Sequence, residues 1–275
     1  MKKKMFLIMT VGLVATVSFI IIFFYGFNNS NANEESIDEK VILKNPAILF
    51  ADNYVSYVLQ NDDPMSFNIF AVEDVSKGDA SLSDLINGVT VNNANIETLD
   101  FSVEEGITTN HYQLVNMIVE FKVLTDDIEK AEQIKISLKN GEVRSYDIGE
   151  IILQNDKLFQ KDDLVPKGDY NVGYPSPSLD VHIANNADSL ITVHSIEDIN
   201  QNFFHDFKDE NPIEVNQKKN LVIPSIEFEN EFDFYTLTPL LTYSIKGQEY
   251  TYNMPGVIYG ITLPDEEKIK RIVSN

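Results

Sequence analysis

Hydrophobic and polar positions alternate with a period of two along most of the chain, the pattern of strands with one buried and one wetted face. Val55, Tyr57 and Leu59 alternate with Ser56 and Val58, and Phe67, Ile69 and Ala71 flank the polar Asn68. A β-branched and aromatic run covers Tyr112 to Leu124, and Ile134, Ile136 and Leu138 alternate with Lys135, Ser137 and Lys139. Asn140-Gly141 follows, a dipeptide that favours a two-residue type I′ hairpin turn because both central residues need positive φ. The second half repeats the pattern: Leu179, Val181 and Ile183 alternate with Asp180 and His182, Tyr235 to Ile245 is apolar and aromatic, and Lys246-Gly247 turns into Tyr250 and Tyr252. Helical signals are few. Ser81–Ile86 and Ser195–Phe207 each begin with a capping Ser and an Asp three residues on, and Glu266–Val273 predicts a third helix.

Many short strands, frequent turn signals and few helices predict a mainly β chain built as two tandem β-sandwich (Ig-like) domains. A polar, acidic stretch at 28–45 reads as a stalk. A second break at 157–177 gathers Asp162-Asp163, Pro166-Lys167-Gly168 and Pro175-Ser176-Pro177, as at a domain boundary. The expected division is therefore a membrane anchor at 1–27, the stalk at 28–45, a first sandwich at 46–156, a linker at 157–177 and a second sandwich at 178–275.

The two halves also share local patterns. Val72-Glu73-Asp74-Val75 follows an Asn/Asp-rich turn and a strand, as does Ile196-Glu197-Asp198-Ile199. Further on, Ser137-Leu138-Lys139-Asn140-Gly141 leads to Tyr146, and Ser244-Ile245-Lys246-Gly247 leads to Tyr252, in the same order. Two collinear matches predict an internal repeat. The competing explanation is that hairpins look alike because turn chemistry is a small menu.

The anchor rests on a different pattern. Lys2, Lys3 and Lys4 precede an uncharged run from Met5 to Phe27. As a helix this run spans roughly 34 Å, enough to cross a hydrocarbon core about 30 Å thick. The three lysines favour the cytoplasmic side, which places the bulk of the chain outside the cell as a single-pass protein. A signal peptide cleaved after Ala32 is the competing interpretation, since Ser30-Asn31-Ala32 is a small-x-small triplet. The chain contains no cysteine, so it offers no acylation site, no disulfide and no thiolate chemistry.

Charge narrows the partners. The net charge is −22, and with Lys2–Lys4 set aside 18 basic residues face 43 acidic ones. Such a surface repels nucleic acid and anionic lipid and suits cationic partners, divalent ions or plain solubility. Lys268, Lys270 and Arg271 form a short basic end that reads as a solvated tail.

Candidate chemistry is sparse. His111, His182, His194 and His205 show no paired-ligand spacing, and neither a G-x-S-x-G elbow nor a phosphate loop is present. His182 and His194 flank a predicted hairpin and could meet across it. Asp62-Asp63, Asp126-Asp127 and Asp162-Asp163 lack the spacing of a calcium loop, so only nonspecific screening by calcium is expected. Phe203 to Phe207 reads as the buried face of a helix. Tyr243, Tyr250, Tyr252 and Tyr259 fit either an aromatic binding surface or cross-strand packing. No catalytic, cofactor-binding or metal-ligating residue is assigned. The expectation is a non-enzymatic membrane protein with an extracytoplasmic binding or structural role in the cell envelope. Its partners would be the membrane and an integral membrane or envelope protein. The alternative is an extracytoplasmic hydrolase using paired carboxylates.

Overall fold

The computed structural model describes residues 47–60, 63–78, 80–156, 163–167, 171–172, 178–223, 225–254, 257–259 and 263–274. The expected anchor and stalk lie outside them. Among the described residues no helix is long and apolar enough to cross a membrane.

The described chain is mainly β, in four sheets. The first is antiparallel and orders β1 (Ala47–Phe50), β3 (Met65–Asp74), β6 (Tyr112–Val123) and β5 (Ile96–Thr109). The second has six strands in the order β18 (Val257–Tyr259), β15 (Phe234–Leu237), β2 (Asn53–Leu59), β8 (Val143–Asn155), β7 (Glu129–Leu138) and β4 (Ile86–Val91). These two sheets enclose one core. Val115, Met117, Val119 and Phe121 of β6 are fully buried and meet Ile134, Ile136, Ile148 and Ile151 from the second sheet. Period-two patterning is the cause: in β6 every other side chain enters this core, and Asn116, Ile118, Glu120 and Lys122 point the other way.

The second half builds another layer pair. One sheet has β11 (Leu179–Asn185) between β14 (Lys218–Ile223) and an opposite edge shared by β9 (Leu164–Pro166) and β10 (Asn171–Val172). The other orders β13 (Phe204–Ile213), β12 (Ile191–Glu197), β16 (Leu240–Ile245) and β17 (Gln248–Asn253). Their shared core holds Val181, Ile183, Val193, Leu221, Leu241 and Tyr243.

The two halves share a sheet. β15 belongs to the second half by sequence yet lies parallel to β2, with Tyr235 opposite Tyr54 and Leu237 opposite Ser56. β2 is thus flanked by two parallel neighbours, β15 and β8, and is buried on both faces. Around it the Tyr54 ring meets Phe232 at 4.8 Å and Tyr235 at 5.9 Å, and Tyr235 stacks on Phe228 at 3.9 Å. The buried Tyr54 hydroxyl donates a short hydrogen bond to Oδ2 of Asp198, a fully buried carboxylate. Burial, then the Asp198 charge, raises the Tyr54 hydroxyl well above its ordinary range. Asp52 and Asp233 close the seam: the Asp52 amide donates to Asp233 Oδ2 at 2.9 Å, and the Asp233 amide to the Asp52 carbonyl at 2.8 Å.

Both short helices predicted near Ser81 and Glu266 are present, as Leu82–Leu85 and Asp265–Ser274. The helix predicted at Ser195–Phe207 is not. That segment is the end of β12, a tight turn with Gln201 at φ 57°, and the start of β13. Asp198 closes the turn instead of capping a helix: its carboxylate accepts from the amides of Asn200 at 3.4 Å and Phe203 at 2.8 Å. Phe203 is buried as expected, but Phe204 is exposed, because successive side chains of a strand leave on opposite faces.

The Asn140-Gly141 loop is also not type I′. Only Gly141 has positive φ, and its amide donates to the Leu138 carbonyl, so a type I turn is followed by a left-handed glycine. Two-residue turns with both φ values positive occur instead at Lys246-Gly247 and at Asn110-His111.

The internal repeat is local only. In both halves an Asn/Asp-rich turn carries the chain between sheets, from β2 to β3 and from β11 to β12. Asp74 and Asp198 then make the same turn, each accepting from the amide two residues on and, through its carbonyl, three residues on. The second pair of matches does not superpose. β16 pairs directly with β12, whereas the β7–β8 hairpin sits in a different sheet from β3. The shared hairpin pattern reflects turn chemistry rather than a duplicated topology.

Candidate binding face

The first four-stranded sheet has a core side and an outer side. On the outer side three cross-strand rows run over β3, β6 and β5: Ser66–Glu120–Asp100, then Asn68–Ile118–Ser102, then Phe70–Asn116–Glu104. Beyond the last row lie Val72 and Leu114, and here the C-terminal helix docks. Ile269 and Ile272 bury against Phe70, Val72 and Leu114. The helix follows from its sequence: Pro264 precedes it, three acids occupy its first turn, Arg271 its last, and its apolar residues fall on one side.

The basic C-terminal end is therefore not a solvated tail. Lys268 is almost buried, with Nζ 3.2 Å from Asp265 Oδ1 and 4.9 Å from the centre of the Phe70 ring. Arg271 Nη1 donates to the Asp233 carbonyl at 2.7 Å.

The helix covers one end of the outer face, Phe70 included, and leaves the first two rows and Asn116 and Glu104 of the third uncovered. At its edge is a cleft of about 280 Å³ whose lining includes Phe70, Asn68, Asn116, Glu104, Asp265 and Lys268. The next rows form a shallower hollow of about 170 Å³ with Ser66, Asp100, Ser102, Ile118 and Glu120. Asn116 Nδ2 donates to Asn68 Oδ1 at 2.8 Å and to Glu104 Oε2 at 3.4 Å. Its own Oδ1 is shielded from solvent and has no hydrogen-bond partner. The face offers mainly acceptors: carboxylates accept only, and the Lys268 ammonium is already engaged.

The residues singled out from the sequence are not brought together here. His182 and His194 lie on strands of different sheets; His182 is 3.9 Å from Asp180, and His194 Nε2 shares a 2.8 Å hydrogen bond with Ser244 Oγ. Asp62 and Asp162 lie outside the described residues. Asp126 and Asp127 are exposed in a loop, and Asp163 accepts from the Tyr243 hydroxyl at 3.2 Å. Among the described residues no three His, Asp or Glu side chains converge as metal ligands. Tyr243 is buried with its ring 5.7 Å from that of Tyr250, and Tyr252 packs on the second core, its hydroxyl pushed up to about 12 by burial. These rings are cross-strand packing; the Tyr259 side chain lies outside the described residues. Burial also raises Glu73, but its Oε2 accepts from the Leu82 amide at 3.1 Å, so this carboxylate holds the start of a helix.

The open face was not singled out in the sequence, although its signal was there. Asn116, Glu120 and Lys122 interrupt the β6 run every second or fourth residue, and Asp100 and Glu104 do the same in β5. That alternation marks an outer face; the helix that bounds it comes from far along the chain.

No family model matches this chain, and no curated protein matches it. Among solved structures it is similar to the C-terminal domain of the AgI/II polypeptide BspA from Streptococcus agalactiae, at 6% identity over 78% of this chain and 99% of that domain, with a TM-score of 0.18. A TM-score this low does not establish a common fold.

Proposed function

We propose that the chain is a single-pass membrane protein with a cytoplasmic N-terminus, whose tandem sandwich lobes bind or brace another component of the cell envelope without catalysing a reaction. The observation that carries this reading is the open outer face of the β3–β6–β5 sheet: three strands wide, polar, and bounded on one side by a docked helix. The packing of that sheet on the six-stranded sheet through one buried core adds to it, because a surface held on a rigid core is pre-organised for binding. The anchor rests on Lys2–Lys4 and the uncharged run to Phe27. The acidic balance disfavours nucleic acid and leaves an integral membrane or envelope protein as the partner class.

Topology is the first test. Protease added to intact cells, with any wall or outer membrane opened, is expected to degrade the chain beyond about residue 45 and to spare a tag placed before Lys2. Protection of a C-terminal tag under the same conditions would overturn the reading.

A further inference from the structure

We infer that the occupant of the outer sheet face is an extended, cationic segment of a partner protein, with Lys or Arg side chains spaced four residues apart. This rests on the binding role proposed above and specifies its ligand.

Three observations converge. The face and its cleft gather the carboxylates of Asp100, Glu104, Glu120 and Asp265, against the single ammonium of Lys268. Lys122, one row further along and opposite Glu97, lines neither hollow. A ligand must therefore bring positive charge and hydrogen-bond donors. Lys268 shows how a cation sits here: its ammonium lies over the Phe70 ring and against Asp265, at the helix end of the same cleft.

The spacing favours a polypeptide. Rows on one face of a strand are about 7 Å apart, so the Asp100–Glu120 row and the Glu104 row are about 14 Å apart. An extended peptide has the same rise. Its side chains at i and i+4 point to one side and fall over both acidic rows. A second copy of this chain is a poor occupant, since it would set the same carboxylates against each other. A divalent cation is also disfavoured, because no three acids converge among the described residues.

The test uses the full-length chain in neutral detergent at near-physiological ionic strength. Fluorescence anisotropy would follow a labelled eleven-residue Thr/Ser peptide with arginines at i and i+4, and a peptide of equal composition with the two arginines adjacent. Saturable binding of the first is expected, with the second at least fivefold weaker. The triple variant D100N/E104Q/E120Q should weaken binding at least tenfold. The variant E227Q/E229Q/E231Q removes as much charge from exposed positions of the second half and should change it less than twofold. Circular dichroism would confirm that both variants keep the native β spectrum. Equal weakening by the two variants would mean attraction by bulk charge alone and would overturn the inference, as would absence of saturable binding. Either failure is separable from the proposed topology and binding role, which are read on intact cells and by partner capture.

Discussion

Three glycines with nearly the same backbone angle separate two kinds of local constraint. Gly149 has φ 84°, and a Cβ placed there would lie 2.2 Å from the Asn53 carbonyl oxygen and 2.7 Å from its amide nitrogen. Gly141 and Gly247, at φ 88° and 82°, have open space where the Cβ would go. Gly247→Ala should therefore cost about 1–2 kcal/mol, the left-handed penalty alone. Gly149→Ala must also push β8 from β2 and should cost more than about 3 kcal/mol. Urea unfolding of the two variants checks the contrast. Asp74 supplies a pH test. Hydrogen bonds from Lys77 and Ser76 hold its carboxyl down to about 2. A depressed folded value means that its stabilisation is fully present above the unfolded value near 4 and is lost as pH falls toward 2. Asp74→Asn should flatten the decline in Tm across that window. Of these features, the turn at Lys246-Gly247 was legible in the sequence. The tight fit at Gly149 was not, because it depends on a strand almost a hundred residues away.

Among the elements, legibility followed the source of each signal. The strands at 65–74, 112–123 and 129–138 follow alternation that packing then rewards, and they appear where the pattern places them. The helix expected at Ser195–Phe207 rested on a cap-like Ser195 and Asp198, and the same side chains serve an Asx turn equally well. β-branched Thr192, Val193 and Ile196 and the ladders to β13 and β16 decide for strand. The C-terminal helix was legible as a helix, but its docking was not: one apolar side supplies the burial, and its target lies on β3 and β6. Ile272→Ala should cost about 2–4 kcal/mol, measurable by thermal melting. It should also loosen Lys268 from Phe70 and Asp265, which would appear as faster protease cleavage within 263–275.

At the scale of the molecule, a mainly β chain in several sheets was foreseeable from the number and spacing of strands, and the two largest buried clusters among the described residues fall one in each half. The shared sheet was not foreseeable. β15 reads as any short apolar run, and nothing in Phe234–Leu237 announces a parallel partner in the other half. The Tyr54–Asp198 bond couples the halves at that place. Tyr54→Phe keeps the ring and leaves a buried carboxylate short of a donor, so it should cost about 1–3 kcal/mol. If the seam couples the halves, chemical unfolding of the parent chain is a single transition, and the variant shifts that transition as a whole. Two separate transitions in the parent would show that the lobes unfold independently. The open face likewise emerges only at this scale, from three strands and a helix that begins more than a hundred residues after the last of them.

The most direct test of the central claim, that this outer face is a binding surface outside the cell, is site-specific photocrosslinking in intact cells. A photoreactive residue at Ser102, exposed on the open face, is compared with one at Glu227 in the second half. The account predicts a discrete crosslinked partner protein from Ser102 and little or none from Glu227. A partner captured only from Glu227, or no adduct from Ser102 in a correctly exported chain, would contradict it.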